Sequence, residues 1–131
     1  LPYILLQDDP NKMISLADYV LVASGTATLM VGLLQKPMVI MYKLKWLTGI
    51  IGKIFVKVKY FGLVNLILDN EVVPERKQSE AHPDELFSLM DRYISDVAYT
   101  QSVVNQLKKL PSYLGEKGAT QRVARSLESY L

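Results

Sequence analysis

Three short apolar runs, set apart by segments of helical length, constrain the fold of this chain more than any other feature. They lie at residues 3–6, at 18–23 (DYVLVA) and at 37–42 (PMVIMY). Runs this short suit buried strands better than helices. Between the first two stands DDPNKMISLA, where Asp9 reads as an N-cap and Pro10 as the first residue of a helix over about 10–17. Between the second and third stands a Ser-Gly-Thr turn, then a helix across 27–35 that Pro37 stops. The second run is continuously apolar rather than alternating, which predicts a strand covered on both faces. Strand, helix, strand, helix, strand at this spacing implies a parallel, right-handed α/β sheet.

Beyond residue 42 the pattern turns helical. In KWLTGIIGKIFVKVK, residues Trp46, Leu47, Ile50, Ile51, Ile54, Phe55 and Val58 share one face of a helical wheel. Lys45, Lys53, Lys57 and Lys59 take the opposite face or its edges. Such a helix either packs on a core with a lysine rim or lies on an anionic membrane surface. The segment FGLVNLILDNEVVPERKQ predicts a strand at its apolar centre, a turn at Asp69-Asn70 and a helical turn opened by Pro74. From Pro83 onward two stripes follow, Leu86/Phe87/Met90/Tyr93/Ile94 and Val103/Val104/Leu107/Leu110, and a last helix carries Val123, Ala124 and Leu127. The expected organisation is an α/β unit over 1–82 with helices over 83–131 packing on it.

Composition narrows the function classes. With 131 residues the chain suits one domain with a genuine core. A formal charge of +2 is too small to argue for nucleic acid. Without cysteine there are no disulfides or thiolate metal sites, and a reducing cytoplasmic setting fits. The lone histidine, His82, sits between Ala81 and Pro83 and is expected in a loop before a helix start, so no multi-histidine metal site is expected. No run approaches the ~20 apolar residues of a membrane span. Because the chain opens on what reads as a core strand, it is expected to be a piece of a longer protein.

The Ser24-Gly25-Thr26 turn has two readings. A strand, a glycine turn and a helix start together form a common anion site, because free N–H groups and the helix dipole favour negative charge there. Alternatively, Ser24 simply caps the helix.

Several strings taken in order resemble one family. SGTATL at 24–29, then KPMVIMYK, then Asn65-Leu66 in GLVNLILDNEVVPE and Gln78 in ERKQ are similar to the C-terminal domain of bacterial lipid-A-disaccharide synthases. That family has SGTATLE, PMVV-Y-(R/K), SLPN-L and VPE-x-x-Q in this order and at nearly these spacings. The resemblance runs from about residue 8 to the end. It implies a GT-B glycosyltransferase, whose two Rossmann-like domains hold the substrate between them. The reaction implied is inverting, uses no obligatory metal or cofactor, and moves 2,3-diacylglucosamine from UDP to 2,3-diacylglucosamine 1-phosphate.

Carried residue by residue, the resemblance implies donor-nucleotide binding by Ser24, Gly25, Thr26, Lys43, Asn65, Glu75 and Gln78. Ser24, Gly25 and Thr26 would meet the pyrophosphate, and Lys43 a phosphate as a point charge. Asn65 would hold a sugar or phosphate oxygen, or else act as a turn residue. Glu75 and Gln78 would point from one helical turn into the same cleft, or else belong to a solvated first turn. No catalytic base is assigned, since the resemblance puts it in the other domain, and the piece alone is expected to be inactive. Two positions depart from the pattern: Met30 replaces a glutamate that accepts ribose hydrogen bonds, and Val64 replaces the proline of SLPN. The partners implied are UDP-2,3-diacylglucosamine, a lipid acceptor and the cytoplasmic face of the inner membrane, and self-association is expected. The competing expectation is a non-catalytic module that binds a membrane or a partner. A Rossmann-like dehydrogenase is disfavoured, since no G-x-G-x-x-G follows a strand.

Overall fold

Met38, Val39 and Ile40 are wholly buried because they belong to the middle strand of a three-stranded sheet. The computed structural model describes residues 3–5, 7, 9–23, 25–42, 59–77, 80–115 and 118–128. The lysine-rimmed helix expected over 45–59 lies, apart from Lys59, outside the described residues, as do Ser24, Lys43 and Gln78.

In chain order the elements are α1 (Pro10–Leu16), β1 (Val20–Ala23), α2 (Thr26–Leu33), β2 (Met38–Tyr42) and α3 (Leu63–Leu68). They continue with β3 (Glu75–Lys77), α4 (Pro83–Ser95), α5 (Val97–Leu107), α6 (Leu110–Tyr113) and α7 (Ala119–Glu128). The strands run in the order β1-β2-β3 and all pair in parallel. Val20 faces Met38 and Ala23 faces Met41, while Ile40 faces Glu75 and Tyr42 faces Lys77. The fold is thus the α/β sheet with flanking helices that the strand spacing implies.

Local chemistry accounts for the element ends. The Asp9 carboxylate accepts from the Asn11 N–H at 2.9 Å with Pro10 in the first turn, so α1 is capped as expected. Helix α2 ends before Pro37 is reached. Gln35 takes a left-handed conformation (φ 57°), its N–H bonds the Gly32 carbonyl at 2.9 Å, and Lys36 N–H reaches Val31 at 3.2 Å. This pair of backward bonds satisfies the last carbonyls of α2 and turns the chain into β2.

Four expectations are corrected. Tyr3, Ile4 and Leu5 form no strand and are 89%, 84% and 78% exposed. A strand exists only by pairing, and among the described residues nothing pairs with the outer edge of β1. Nor is β1 covered on both faces: Val22 is buried while Leu21, on the other face, is 43% exposed. The apolar centre of 61–78 is the helix α3, not a strand, and hydrogen bonds to its amino end explain why (below). Pro74 opens β3 rather than a helical turn, and its carbonyl accepts the Ile40 N–H at 2.9 Å, extending the ladder.

The helices pack through a few close approaches. A Cβ added to Gly32 in α2 would stand 2.7 Å from both Leu110 Cδ1 and Val64 Cγ2, so glycine here lets α3 and α6 come close. Helix α4 turns Tyr93 inward, while Phe87 and Ile94 of the same expected stripe stay largely exposed. Val103, Leu107 and Leu110 are buried as their spacing predicts, and Val123 and Leu127 of α7 are exposed. No helix among the described residues is long and apolar enough to cross a membrane.

Candidate functional site

Parallel strands all end on one side of the sheet, and in open α/β sheets ligands bind beyond those carboxyl ends. Here the last strand residues are Ala23, Tyr42 and Lys77. Ala23 pairs with Met41, and Tyr42 with Lys77, so the three ends lie side by side. The residues next in sequence are Ser24, Lys43 and Gln78, three of the seven expected donor-site residues.

Helix α2 begins at this edge. Gly25 is its N-cap, with φ 145°, a backbone conformation that L side chains rarely adopt, and among the described residues no side chain caps the helix. The first turn carries no acidic residue, so nothing on α2 itself offsets its positive end. Gly25 and Thr26 are exposed, whereas Thr28 is buried and donates its hydroxyl to the Gly25 carbonyl at 2.8 Å. The turn is therefore open to solvent at Gly25 and Thr26 while Thr28 braces it from within.

Asn65 and Glu75 do something other than face a ligand. Asn65 is wholly buried, and its Nδ2 donates to the Val73 carbonyl and to Glu75 Oε1, both at 2.7 Å. Its Oδ1 accepts the N–H groups of Val72 at 2.8 Å and Val73 at 3.0 Å. Those four bonds use its donors and both acceptor sites. Glu75, 9% exposed, accepts from Phe61 N at Oε2 (2.8 Å) and from Gly62 N at Oε1 (3.0 Å). A carboxylate at the amino end of α3 satisfies orphan donors and complements the dipole, and this holds the short apolar run helical. A Cβ at Gly62 would lie 2.4 Å from Ile40 Cδ1 and 3.1 Å from Glu75 Oε1, so a larger residue there would force those side chains to shift.

Tyr42, expected to pack beside Lys43, and two residues absent from the sequence-level expectations, Phe61 and Lys77, complete the edge. The Tyr42 hydroxyl donates to the Phe61 carbonyl, and the two rings meet edge to face with centroids 5.2 Å apart. The Lys77 ammonium stands 4.3 Å from the Phe61 ring centroid, a cation–π contact. Only the register Tyr42–Lys77 brings these side chains together, and the sequence carries no signal for it.

Away from this edge, His82 is exposed at the start of α4, in the loop position its neighbours predict. With Arg76, Glu80 and Glu85 it lines a depression of about 470 Å³, in which Arg76 and Glu85 are paired at 2.8 Å.

The profile of the family described as lipid-A-disaccharide synthetase matches residues 1–123. A lipid-A-disaccharide synthase of Anaeromyxobacter dehalogenans is 34% identical over 123 residues, 94% of this chain and 32% of the relative. Lipid-A-disaccharide synthase 1 of Legionella pneumophila is 40% identical over 114 residues, 87% of this chain and 30% of that protein. A Geobacter sulfurreducens synthase is 35% identical over 118 residues, 90% of this chain and 31% of its own length. The chain thus spans about a third of the length of the curated relatives it matches. By both profile and identity, it belongs to the lipid-A-disaccharide synthase family.

Proposed function

We propose that this chain is the donor-nucleotide-binding part of a GT-B glycosyltransferase that moves 2,3-diacylglucosamine from UDP to 2,3-diacylglucosamine 1-phosphate. One observation carries the reading. Ser24, Lys43 and Gln78 each follow in sequence the last residue of one of three adjacent parallel strands, with the start of α2 beside the first.

In this reading the N–H groups of Gly25 and Thr26, with the hydroxyls of Ser24 and Thr26, take the pyrophosphate. They oppose the negative charge that grows on UDP as the glycosidic bond breaks, and fixed donors do so without reorganising. Lys43 adds a point charge and Gln78 a hydrogen-bonding amide. Asn65 and Glu75 serve the site from behind, by building its edge. The general base comes from the part of the enzyme outside this chain, so the chain alone makes no disaccharide. The lipid substrates imply work at the cytoplasmic face of the inner membrane, and the protein self-associates.

A second reading, a non-catalytic membrane-binding module, is favoured by Met30. Met30 lies four residues after Thr26, on the same side of α2, half-buried and outside the core cluster. A thioether there offers a ribose no carboxylate. Titrating UDP into the 15N-labelled chain separates the two. A saturable shift of the amide signals of residues 25–28 supports the donor site. Binding to anionic vesicles with no response to UDP supports the second reading instead.

A further inference from the structure

Glu75, Phe61 and Tyr42 form a chain of contacts that reaches from the buried start of α3 to two strand ends. The Glu75 carboxylate holds the Phe61 N–H at 2.8 Å and the Gly62 N–H at 3.0 Å, and Asn65 holds that carboxylate at 2.7 Å. On its other side the Phe61 carbonyl accepts the Tyr42 hydroxyl. The Phe61 ring meets Tyr42 at the end of β2 and Lys77 at the end of β3. Lys43 and Gln78 are the next residues in sequence after those two strand ends.

We infer that Glu75 is a positioning residue for the donor site, acting through Phe61 to fix the ends of β2 and β3 relative to each other. The inference rests on the donor-binding reading above. Its physical basis is that Phe61 is tied at both its N–H and its C=O, which fixes where its side chain leaves the backbone, and its ring, held against Tyr42 and Lys77, is what the two strand ends share. Glutamine at position 75 has the same size but replaces one oxygen with an NH2 group. That group would face a backbone N–H or the Asn65 amide, donor against donor, and would release the turn.

The test is a double-mutant cycle in this chain, read as the dissociation constant for UDP by calorimetry, with folding checked by thermal unfolding. Glu75→Gln and Tyr42→Phe are each expected to weaken UDP binding by about tenfold, the scale of one lost hydrogen bond to a charged or fixed group. The double variant is expected to be no weaker than the poorer single one, because both act through Phe61. Tyr93→Phe, which removes a hydrogen bond at the opposite end of β2, is expected to lower stability and leave the constant within twofold. Should Glu75→Gln fail to fold, Tyr42→Phe with Phe61→Ala completes the same cycle. Losses that multiply, or constants unchanged from those of the parent chain, would overturn the positioning role while leaving the donor site standing. A parent chain that binds no UDP would overturn both.

Discussion

The Tyr93 hydroxyl donates to the Met38 carbonyl at 2.9 Å, fastening helix α4 to the first residue of the central strand. Tyr93 is 1% exposed, and its ring stacks on Tyr99 (centroids 5.3 Å apart) and Tyr19 (6.0 Å). Burial, above all, pushes its phenol well above the ordinary tyrosine value, with Tyr99 adding to the effect and Arg92 and the Met38 contact opposing it. The sign follows. The folded state holds the proton more tightly than the unfolded one, so this stabilisation is complete below about pH 10 and is lost as pH rises beyond it.

Tyr93→Phe is therefore expected to cost about 1 kcal/mol at pH 7, one buried hydrogen bond. Above about pH 10 the parent chain loses up to roughly 1.4 kcal/mol per pH unit through this group, and the variant lacks that loss. Urea denaturation at pH 7, 10 and 11 checks it. A gap between the two proteins that stays constant with pH would mean that Tyr93 ionises as freely in the fold as outside it.

Asn65 makes the sharper stability test. Asn65→Ala orphans the Val72 and Val73 N–H groups and leaves Glu75 without its amide partner. Each unsatisfied buried group costs about 1–3 kcal/mol, so a loss of roughly 3 kcal/mol or more is expected. Asn65→Asp keeps acceptors for the two N–H groups but sets a carboxylate oxygen against Glu75 Oε1, where 2.7 Å now separates donor and acceptor. At neutral pH it should cost at least as much as alanine. A milder aspartate would show that the amide donor matters little.

These two residues also mark the limit of what the sequence reveals. Strands β1 and β2, their parallel sense and helices α1 and α2 were legible, because short continuous apolar runs, Asp9-Pro10 and Gly25 each act locally; β3 was not, its place being read as a helical turn. The burial of Val103 and Leu107 was legible from helical spacing. The helix at 63–68 was not, since its six residues are too few for periodicity to separate helix from strand, and its start is held by Glu75, ten residues or more away in sequence. Resemblance marked Asn65 and Glu75 as important without saying that their partners are the protein's own backbone. Phe61, Tyr42 and Lys77 meet only through strand register, which no single string encodes.

Gly32 tests the packing of α2. An alanine Cβ would lie 2.7 Å from Val64 Cγ2 and Leu110 Cδ1, and the β-branched Val64 has little freedom to yield. Overpacking costs about 1–3 kcal/mol, and the better helix propensity of alanine returns up to about 1 kcal/mol. Gly32→Ala is expected to destabilise by roughly 1–2 kcal/mol. Because Val64→Ala removes the clashing methyl, it should cost less in that background than in the parent chain, as a double-mutant cycle in urea would register.

Self-association is expected from what α4 leaves uncovered. Phe87 and Ile94, seven residues apart on one helix, are 72% and 63% exposed. Even ~300 Å² of apolar surface offers several kcal/mol on burial before association entropy is subtracted. Sedimentation over a concentration series should show association that Phe87→Lys with Ile94→Lys weakens. A parent chain that stays monomeric at high concentration would refute it.

Met30 bears on the nucleotide most directly. It sits one turn below Thr26 on α2, half-buried yet not packed into the core, so its side chain is available to whatever lies along that face. If the ribose of UDP lies there, Met30→Glu supplies an acceptor for its hydroxyls. Hydrogen bonds to a charged group contribute about 1.5–3 kcal/mol, so UDP should bind about ten- to a hundredfold more tightly. Met30 is the fifth of the eight residues of α2, past the first turn in which the dipole acts, so the dipole does not stabilise the new charge and replacing a half-buried thioether is expected to lower stability slightly. Calorimetry with UDP and with inorganic pyrophosphate reads the result: the gain should appear for UDP and be absent for pyrophosphate, which has no ribose. An unchanged constant for UDP would mean that this face of α2 does not meet the nucleotide.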